Sequence, residues 1–418
     1  MEETIKTQIL AEITKYKTEI LEFTKNLITV ATENPPGALY KACLEIIVKK
    51  LSQIGLDYEI IEVPTHDPTS KDERFPRYCI LSHYGPGEKT LYFHGHYDVV
   101  PASNDTQFQP YIENGRLYGR GSSDMKSGLA VMIYALRIIK ELKIPLNGRI
   151  GLTIVPDEET GGIMGSKYLS DINILGKNAL GMLLPEPTSG VIWNANRGAI
   201  SLRITVKGKS VHVALQFQGV NAFEKMITVV NKLLELKTEV ESRTTRYNIN
   251  PEPAKHSILM LGGQCEGGRN FNFVPGEVSF TIDRRINPEE ILEVEKQKLF
   301  GLFEEFQNEG INLKIDILQE GESSGVSEES PLARALTKNI ETITGNYPHF
   351  EMCPGLLETR FYIEKNIPAL AYGPGILAVS HSPKEFVKIE DIYNCIAVYA
   401  LTAVEFLKNM RQDESLFS

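Results

Sequence analysis

Tryptophan occurs once in 418 residues and cysteine five times, with no CxxC pair. A sparse, odd set (Cys43, Cys79, Cys265, Cys353, Cys395) excludes a disulfide framework and reads as reduced thiols of a cytoplasmic protein. No apolar run reaches the length of a membrane span, and the opening Met1–Lys6 stretch has no apolar signal core. Positive charge is also short: 44 Lys+Arg stand against 54 Asp+Glu, a net charge of -10. That argues against nucleic acid or an anionic membrane as a partner, and it leaves carboxylates available to cations. Internal repeats and low-complexity tracts are absent. So are the GxxxxGK[ST] phosphate loop and a GxGxxG dinucleotide fingerprint after the early strands.

What is present is ordinary for a globular chain: 42% hydrophobic and 23% charged residues. At about 150 residues per domain, the length suggests two or three domains. Ile5, Ile9, Ile13, Tyr16, Ile20, Phe23 and Leu27 share one face of a helix over 3–30, which Asn34-Pro35-Pro36-Gly37 stops. A second helix fits 38–54. Strands are expected at Tyr58–Val63, Tyr78–His83, Thr90–Phe93, Arg149–Val155 and Leu180–Leu184, with a helix over Ser127–Leu142. This alternation predicts an α/β sheet covered by helices. From Ala199 the pattern changes. A strand at 199–206, a helix at 220–237, strands at 256–262 and 273–283, a helix at 288–307 and a strand at 311–317 spell βαββαβ, a small α+β unit. Residues 319–325 read as a linker, after which helix–strand alternation resumes. The expected plan is a catalytic domain (1–198 and 322–418) interrupted by a smaller domain (199–321).

Five segments carry candidate chemistry. Leu91–Pro101 is an apolar strand ending in His96 and Asp98, two residues apart and therefore on one side. That side lies at the C-terminal strand edge, where open α/β sheets bind ligands. A carboxylate beside a histidine can hold the second ring nitrogen. His94, on the same face, is read as structural. Asp124, in Tyr118–Gly128, lies in a glycine-rich loop before a helix, where a carboxylate can bridge two cations or simply cap the helix. Asp157-Glu158-Glu159 follows a strand; three adjacent carboxylates repel unless solvent or a cation neutralises them. Glu158 and Glu159 project differently, so one can ligate while the other acts as a base. Glu186 lies between prolines at a strand end, and His381 lies in a loop after Gly373-Pro374-Gly375. Two histidines and three carboxylates suit a pair of divalent ions bridged by one carboxylate.

With these motifs in this order, the chain resembles the M20 metallopeptidase/deacylase family, which includes acetylornithine deacetylases, succinyl-diaminopimelate desuccinylases, aminoacylase-1 and glutamate carboxypeptidases. The resemblance covers nearly the whole chain. It implies a mixed-sheet zinc-peptidase-like catalytic domain with an inserted lid that often forms a homodimer. It also implies two divalent ions, zinc or else cobalt. His96, Asp124 and Glu186 would hold one, and Asp124, Glu159 and His381 the other. Asp98 would orient His96 and Glu158 would be the general base. Within Val206–His212, His212 would stabilise the oxyanion. Arg197, Asn272, Arg285, Gly355 and Arg360 would meet the substrate. The implied activity is hydrolysis of an N-acyl amino acid or related amide by activated water.

Two segments depart from the family pattern. Gly355-Leu356-Leu357-Glu358-Thr359-Arg360 carries two leucines where small polar residues are usual, which disfavours a small dianionic substrate. Gln216 stands where a proline is common after the lid histidine. A dipeptidase or carboxypeptidase with the same centre is the nearest rival. A catalytically silent metal-binding partner is the rival from another class, and it would predict a lost ligand or base.

Overall fold

A computed structural model describes residues 2–64 and 75–409. The chain divides into two compact units, one of residues 1–194, 326–350 and 361–418, the other of residues 195–325 and 351–360.

The first unit begins with helices α1 (Glu2–Ile28) and α2 (Tyr40–Gln53). The α1 residues Ile9, Ile13, Ile20, Phe23 and Leu27 are all buried, as their spacing requires. Strands β1 (Tyr58–Val63), β2 (Arg77–Tyr84) and β3 (Thr90–His96) follow. Two three-residue strands, β4 (Tyr111–Glu113) and β5 (Arg116–Tyr118), precede α3 (Lys126–Glu141). Then come β6 (Arg149–Val155), the short α4 (Tyr168–Asp171), β7 (Ala179–Leu184) and β8 (Ile192–Asn196). β8 carries the chain into the second unit.

That second unit contains β9 (Gly198–Lys207), α5 (Ala222–Glu241), β10 (Ile258–Gly267), β11 (Glu277–Ile286), α6 (Leu292–Asn308) and β12 (Asn312–Gly321). The order is the βαββαβ expected. Its sheet runs β10-β11-β9-β12, with every pair antiparallel. Ile200, Leu202, Ile204 and Val206 are fully buried under α5 and α6. Each such aliphatic side chain contributes roughly 1.5–3 kcal/mol by leaving water. The supposed linker at 319–325 is largely strand instead. β12 continues to Gly321, and β13 (Ser324–Gly325) pairs with Asn196 and Ala195. Backbone pairing there overrides a polar, glycine-containing composition.

The chain closes with α7 (Pro331–Thr344), β14 (Phe350–Cys353), α8 (Thr359–Ile363), β15 (Ala369–Ala371), β16 (Phe386–Lys388) and α9 (Ile389–Asn409). The large sheet runs β1-β2-β6-β3-β7-β15-β8-β13, with β14 also on β8. β6, β3, β7 and β15 are parallel neighbours, while β1, β2 and β8 are antiparallel, so the sheet is mixed. α3, α7, α9 and α1 pack together over its apolar core. Because β6, β3 and β7 are parallel, His96, the segment after Val155 and the segment after Leu184 emerge at one edge.

Candidate metal centre

The loops leaving that edge bring seven of the expected residues together. His96 is fully buried, with Nε2 3.2 Å from Asp124 Oδ1 and 3.5 Å from Glu186 Oε1. The other Asp124 oxygen lies 3.2 Å from His381 Nε2, which is itself 3.2 Å from Glu159 Oε2. Asp124 therefore presents one oxygen to each histidine. Ligand-capable atoms of His96, Asp124 and Glu186, and of Asp124, Glu159 and His381, lie within 4.8 Å of one another in each group.

Asp98 ties these parts together. Its Oδ1 is 3.2 Å from His96 Nδ1 and accepts the Glu158 amide at 3.2 Å; its Oδ2 accepts the Glu159 amide at 3.2 Å. The Asp98 carboxylate thus fixes the Glu158-Glu159 turn and, together with its own backbone carbonyl 3.1 Å from His96 Nδ1, the histidine ring. Glu159 Oε1 accepts the Val100 amide at 3.3 Å, leaving Oε2 towards His381. Glu158 Oε2 stands 4.0 Å from His96 Nε2, and its side chain is 17% exposed, against 6% for Glu159. Glu186 is set by a close backbone approach: any side chain at Gly373 would collide with the backbone of Pro185 and Glu186. His381 adopts a φ of 63°, the left-handed region uncommon outside glycine.

Electrostatics separate this cluster from a solvated acidic surface. Burial, then the charge of Asp124, raises Glu186 to about 8 and Glu159 to about 6. Burial opposes charge on His96, but the carboxylates of Asp124, Asp98 and Glu186 lift it well above its ordinary value. Asp124 and Glu159 raise His381 to about 11. Burial works against Asp124 ionisation, yet His381 and His96 hold it below the usual carboxylate range. The crowd of acids keeps protons that a cation would displace. His96 Nε2 and Glu186 Oε1 are buried and make no hydrogen bond, so a cation there meets two unsatisfied donor atoms. The residues present fit divalent ions.

The remaining expected residues belong to the second unit. His212 is exposed; its Nδ1 accepts the Ala214 amide at 3.2 Å, and its ring meets Phe273 edge-on. Asn272 is its neighbour, with its carbonyl accepting the Val213 amide at 2.9 Å. Arg197 is 1% exposed and donates to the carbonyls of Ala254 and His256. Arg285 pairs with Asp283 at 2.9 Å. Arg360 is buried and donates to the Leu357 carbonyl at 2.8 Å, and a Cβ at Gly355 would meet Cys353 Sγ at 4.0 Å, an ordinary contact.

Sequence reading missed several supporting residues. Asn34, just before the proline pair, donates from Nδ2 to Asp98 Oδ2 and Thr160 Oγ1, both at 2.9 Å. Lys126 is fully buried and donates to the Leu27 and Val30 carbonyls at 2.9 and 2.7 Å, placing charge at the end of α1. Glu385 and Arg120 form a buried ion pair. Only the proximity of Glu385 to His381 in the chain could have signalled that pair. His94 bonds Tyr362 and Ser166, each at 3.1 Å, consistent with a structural reading.

Residues 92–405 match the model of peptidase family M20/M25/M40. A probable succinyl-diaminopimelate desuccinylase of Staphylococcus epidermidis is 26% identical over 404 residues, covering 90% of this chain and 94% of that protein. A succinyl-diaminopimelate desuccinylase of Nitrosospira multiformis is 27% identical over 387 residues, covering 89% and 95%. Among solved structures, the di-peptidase Dug1p of Saccharomyces cerevisiae superposes with a TM-score of 0.79 at 17% identity, covering 98% of this chain and 99% of that one.

Proposed function

The chain belongs to peptidase family M20/M25/M40 and is a hydrolase of amide or peptide bonds, and we propose that it deacylates N-acyl amino acids with two divalent cations. Zinc is the proposed metal, with cobalt able to replace it. The observation that carries the reading is Asp124, with one carboxylate oxygen 3.2 Å from each of two histidines. His96, Asp124 and Glu186 would hold one cation, and Asp124, Glu159 and His381 the other. Cations held there supply Lewis acidity and lower the pKa of water towards about 7. Glu158, the partly exposed carboxylate of the cluster, accepts the proton of the attacking water and returns it to the leaving amine. Asp98 holds the His96 ring in place throughout.

Residues 1–198 and 322–418 are the proposed catalytic domain, and 199–321 the lid. His212 is the proposed oxyanion partner. Arg197, Asn272, Arg285, Gly355 and Arg360 are the proposed substrate contacts. The desuccinylase relatives favour an acyl amino acid over a peptide. Leu357 is buried and Leu356 half-buried, so Leu356 supplies the apolar surface of this loop, which favours a less charged acyl group or side chain than a succinyl-diaminopimelate carries. A homodimer through the lid is proposed: α5 exposes Phe223, Ile227 and Leu234 along one stripe, and β10 is an edge strand. Five scattered cysteines with no CxxC pair fit a reducing, cytoplasmic setting. Among the described residues no helix is long and apolar enough to cross a membrane.

The test is amine release by zinc- or cobalt-loaded protein from N-acetyl, N-formyl, N-succinyl and longer N-acyl amino acids, beside plain dipeptides. Turnover of acylated amino acids is expected, with kcat lowered about 10²- to 10⁴-fold in Glu158→Ala. Turnover confined to dipeptides would move the assignment to a peptidase. Undiminished activity in Glu158→Ala would remove Glu158 as the base.

A further inference from the structure

Two charged side chains that ligate nothing lie behind the shared carboxylate. Arg120 and Glu385 are each 1% exposed, and Arg120 Nη1 donates to Glu385 Oε2 at 2.5 Å. Burying such a pair carries a large desolvation penalty, so it is a poor explanation of stability alone. Its other contacts point to a specific role. Glu385 Oε1 accepts the backbone amides of Ser123 and Asp124 at 3.0 and 3.1 Å. Arg120 Nη2 donates to the backbone carbonyl of His381 at 3.1 Å. The pair therefore grips the main chain of two candidate ligands at once.

The topology explains how it reaches both. β5 and β16 pair antiparallel, with Phe386 opposite Tyr118. Arg120 lies two residues after the end of β5, and Glu385 immediately before β16. The Gly119 amide donates to the Glu385 carbonyl at 3.1 Å, and Gln107 Nε2 donates to the Ser382 carbonyl at 3.1 Å. The loop bearing Asp124 and the loop bearing His381 are thus stitched by a strand pair and then by the ion pair. His96 and Glu186 sit instead at the ends of β3 and β7, held by Asp98 and by the close approach of Gly373.

We propose that Arg120 and Glu385 are positioning residues that set the cation affinity of the Asp124, Glu159 and His381 group in preference to the His96, Asp124 and Glu186 group. They hold the backbones of Asp124 and His381 in one frame, which only the first of these groups needs. The inference rests on the two-cation reading above.

The test is competition of the metal-free full-length chain with a chromophoric chelator for zinc, in the wild type, Glu385→Gln and Arg120→Lys. Circular dichroism and thermal unfolding of the metal-free forms run alongside. Glu385→Gln keeps size but sets an amide NH₂ against the guanidinium; Arg120→Lys keeps charge but loses the fork that also reaches His381. The wild type is expected to bind two cations. Each folded variant should bind one cation about tenfold or more weakly than the wild type, the scale of effect seen when ligand-supporting groups are removed, and the other, which shares only Asp124 with the gripped frame, with a clearly smaller loss. Two wild-type affinities in either folded variant overturn the proposal. Equal weakening of both cations, or loss of the metal-free fold in both variants, assigns the pair a general structural role and overturns it as well. A wild type that binds fewer than two cations would instead sink the two-cation reading.

Discussion

Asn34 donates its side-chain amide to Asp98 at 2.9 Å, with both residues buried. Asp98 in turn lies against His96 Nδ1 and accepts the amides of Glu158 and Glu159. A residue from the loop after α1 thus steadies the carboxylate that organises half of the site. Asn34→Ala removes a donor from a buried carboxylate, and the ring and turn lose their common reference. The expected outcome is a roughly 10- to 100-fold loss in cation affinity or kcat/KM with the fold retained. Unchanged zinc affinity and kinetics would show that the Asn34 contact is incidental.

Cation binding should release protons. In the metal-free protein, burial and Asp124 raise Glu186 to about 8 and Glu159 to about 6. A group raised in this way is at least partly protonated near pH 7, and only its ionised form ligates. His96 and His381, raised by their carboxylate neighbours, also hold protons that a ligand must lose, so zinc binding at pH 7 should release about two protons or more, and affinity should fall as pH drops from about 8 towards 5. Calorimetry in two buffers of different ionisation enthalpy measures the release directly. Observed heats that are identical in the two buffers, with affinity flat from pH 5 to 8, would contradict this account.

In the second unit, Arg284 is 1% exposed and paired with Glu290 and with Glu295 Oε2 at 2.9 Å. Arg243 joins both acids, at 2.7 and 2.9 Å. Burial opposes Glu295 ionisation, but Arg284, Lys298 and Arg243 outweigh it and lower its pKa from 4.5 to about 2. Since the folded value is depressed, this stabilisation is complete above 4.5 and is lost as pH falls towards 2. Arg284→Met should destabilise the unit by about 1.5–3 kcal/mol at pH 7, because it removes charged hydrogen bonds from two carboxylates that Arg243 still pairs. Hydrogen exchange at β9 and β11 reads the effect locally. Protection equal to wild type at pH 7 would show that the network is not structural.

The proposed dimer predicts a change of mass in solution. Ile227 and Leu234 are 43% and 47% exposed on the face of α5 away from its buried Val229 and Leu233. Ile227→Asp with Leu234→Asp puts two charges on that face, where burial in an interface would desolvate them. Sedimentation should show dimer for the wild type and monomer for the variant. A wild type that sediments as a monomer at micromolar concentration would reject the lid interface.

Much of this molecule is legible in its residues because periodicity and strand ends are local. Seven apolar positions of α1 recur at three- and four-residue steps, and Ile200 to Val206 alternate, so their buried faces follow from backbone geometry. The candidate ligands were legible for a related reason. Each follows an apolar strand or a glycine-rich turn, and parallel strands deliver their C-terminal ends to one edge. The strand pairing at 319–325 was not legible, since the hydrogen bonds of Ser324 and Gly325 to β8 come from a segment far away in the chain.

The sequence alone determined the residue types, the α/β order and the inserted βαββαβ unit, because those depend on neighbours within a few positions. Only the tertiary structure decided which carboxylates share a histidine and which are held by backbone amides. It also turned Asn34, Lys126, Arg120 and Glu385 from ordinary polar residues into buried supports of the site. Burial and pairing of a polar group depend on what the chain brings near from 64 to 265 residues away, and no local pattern records that.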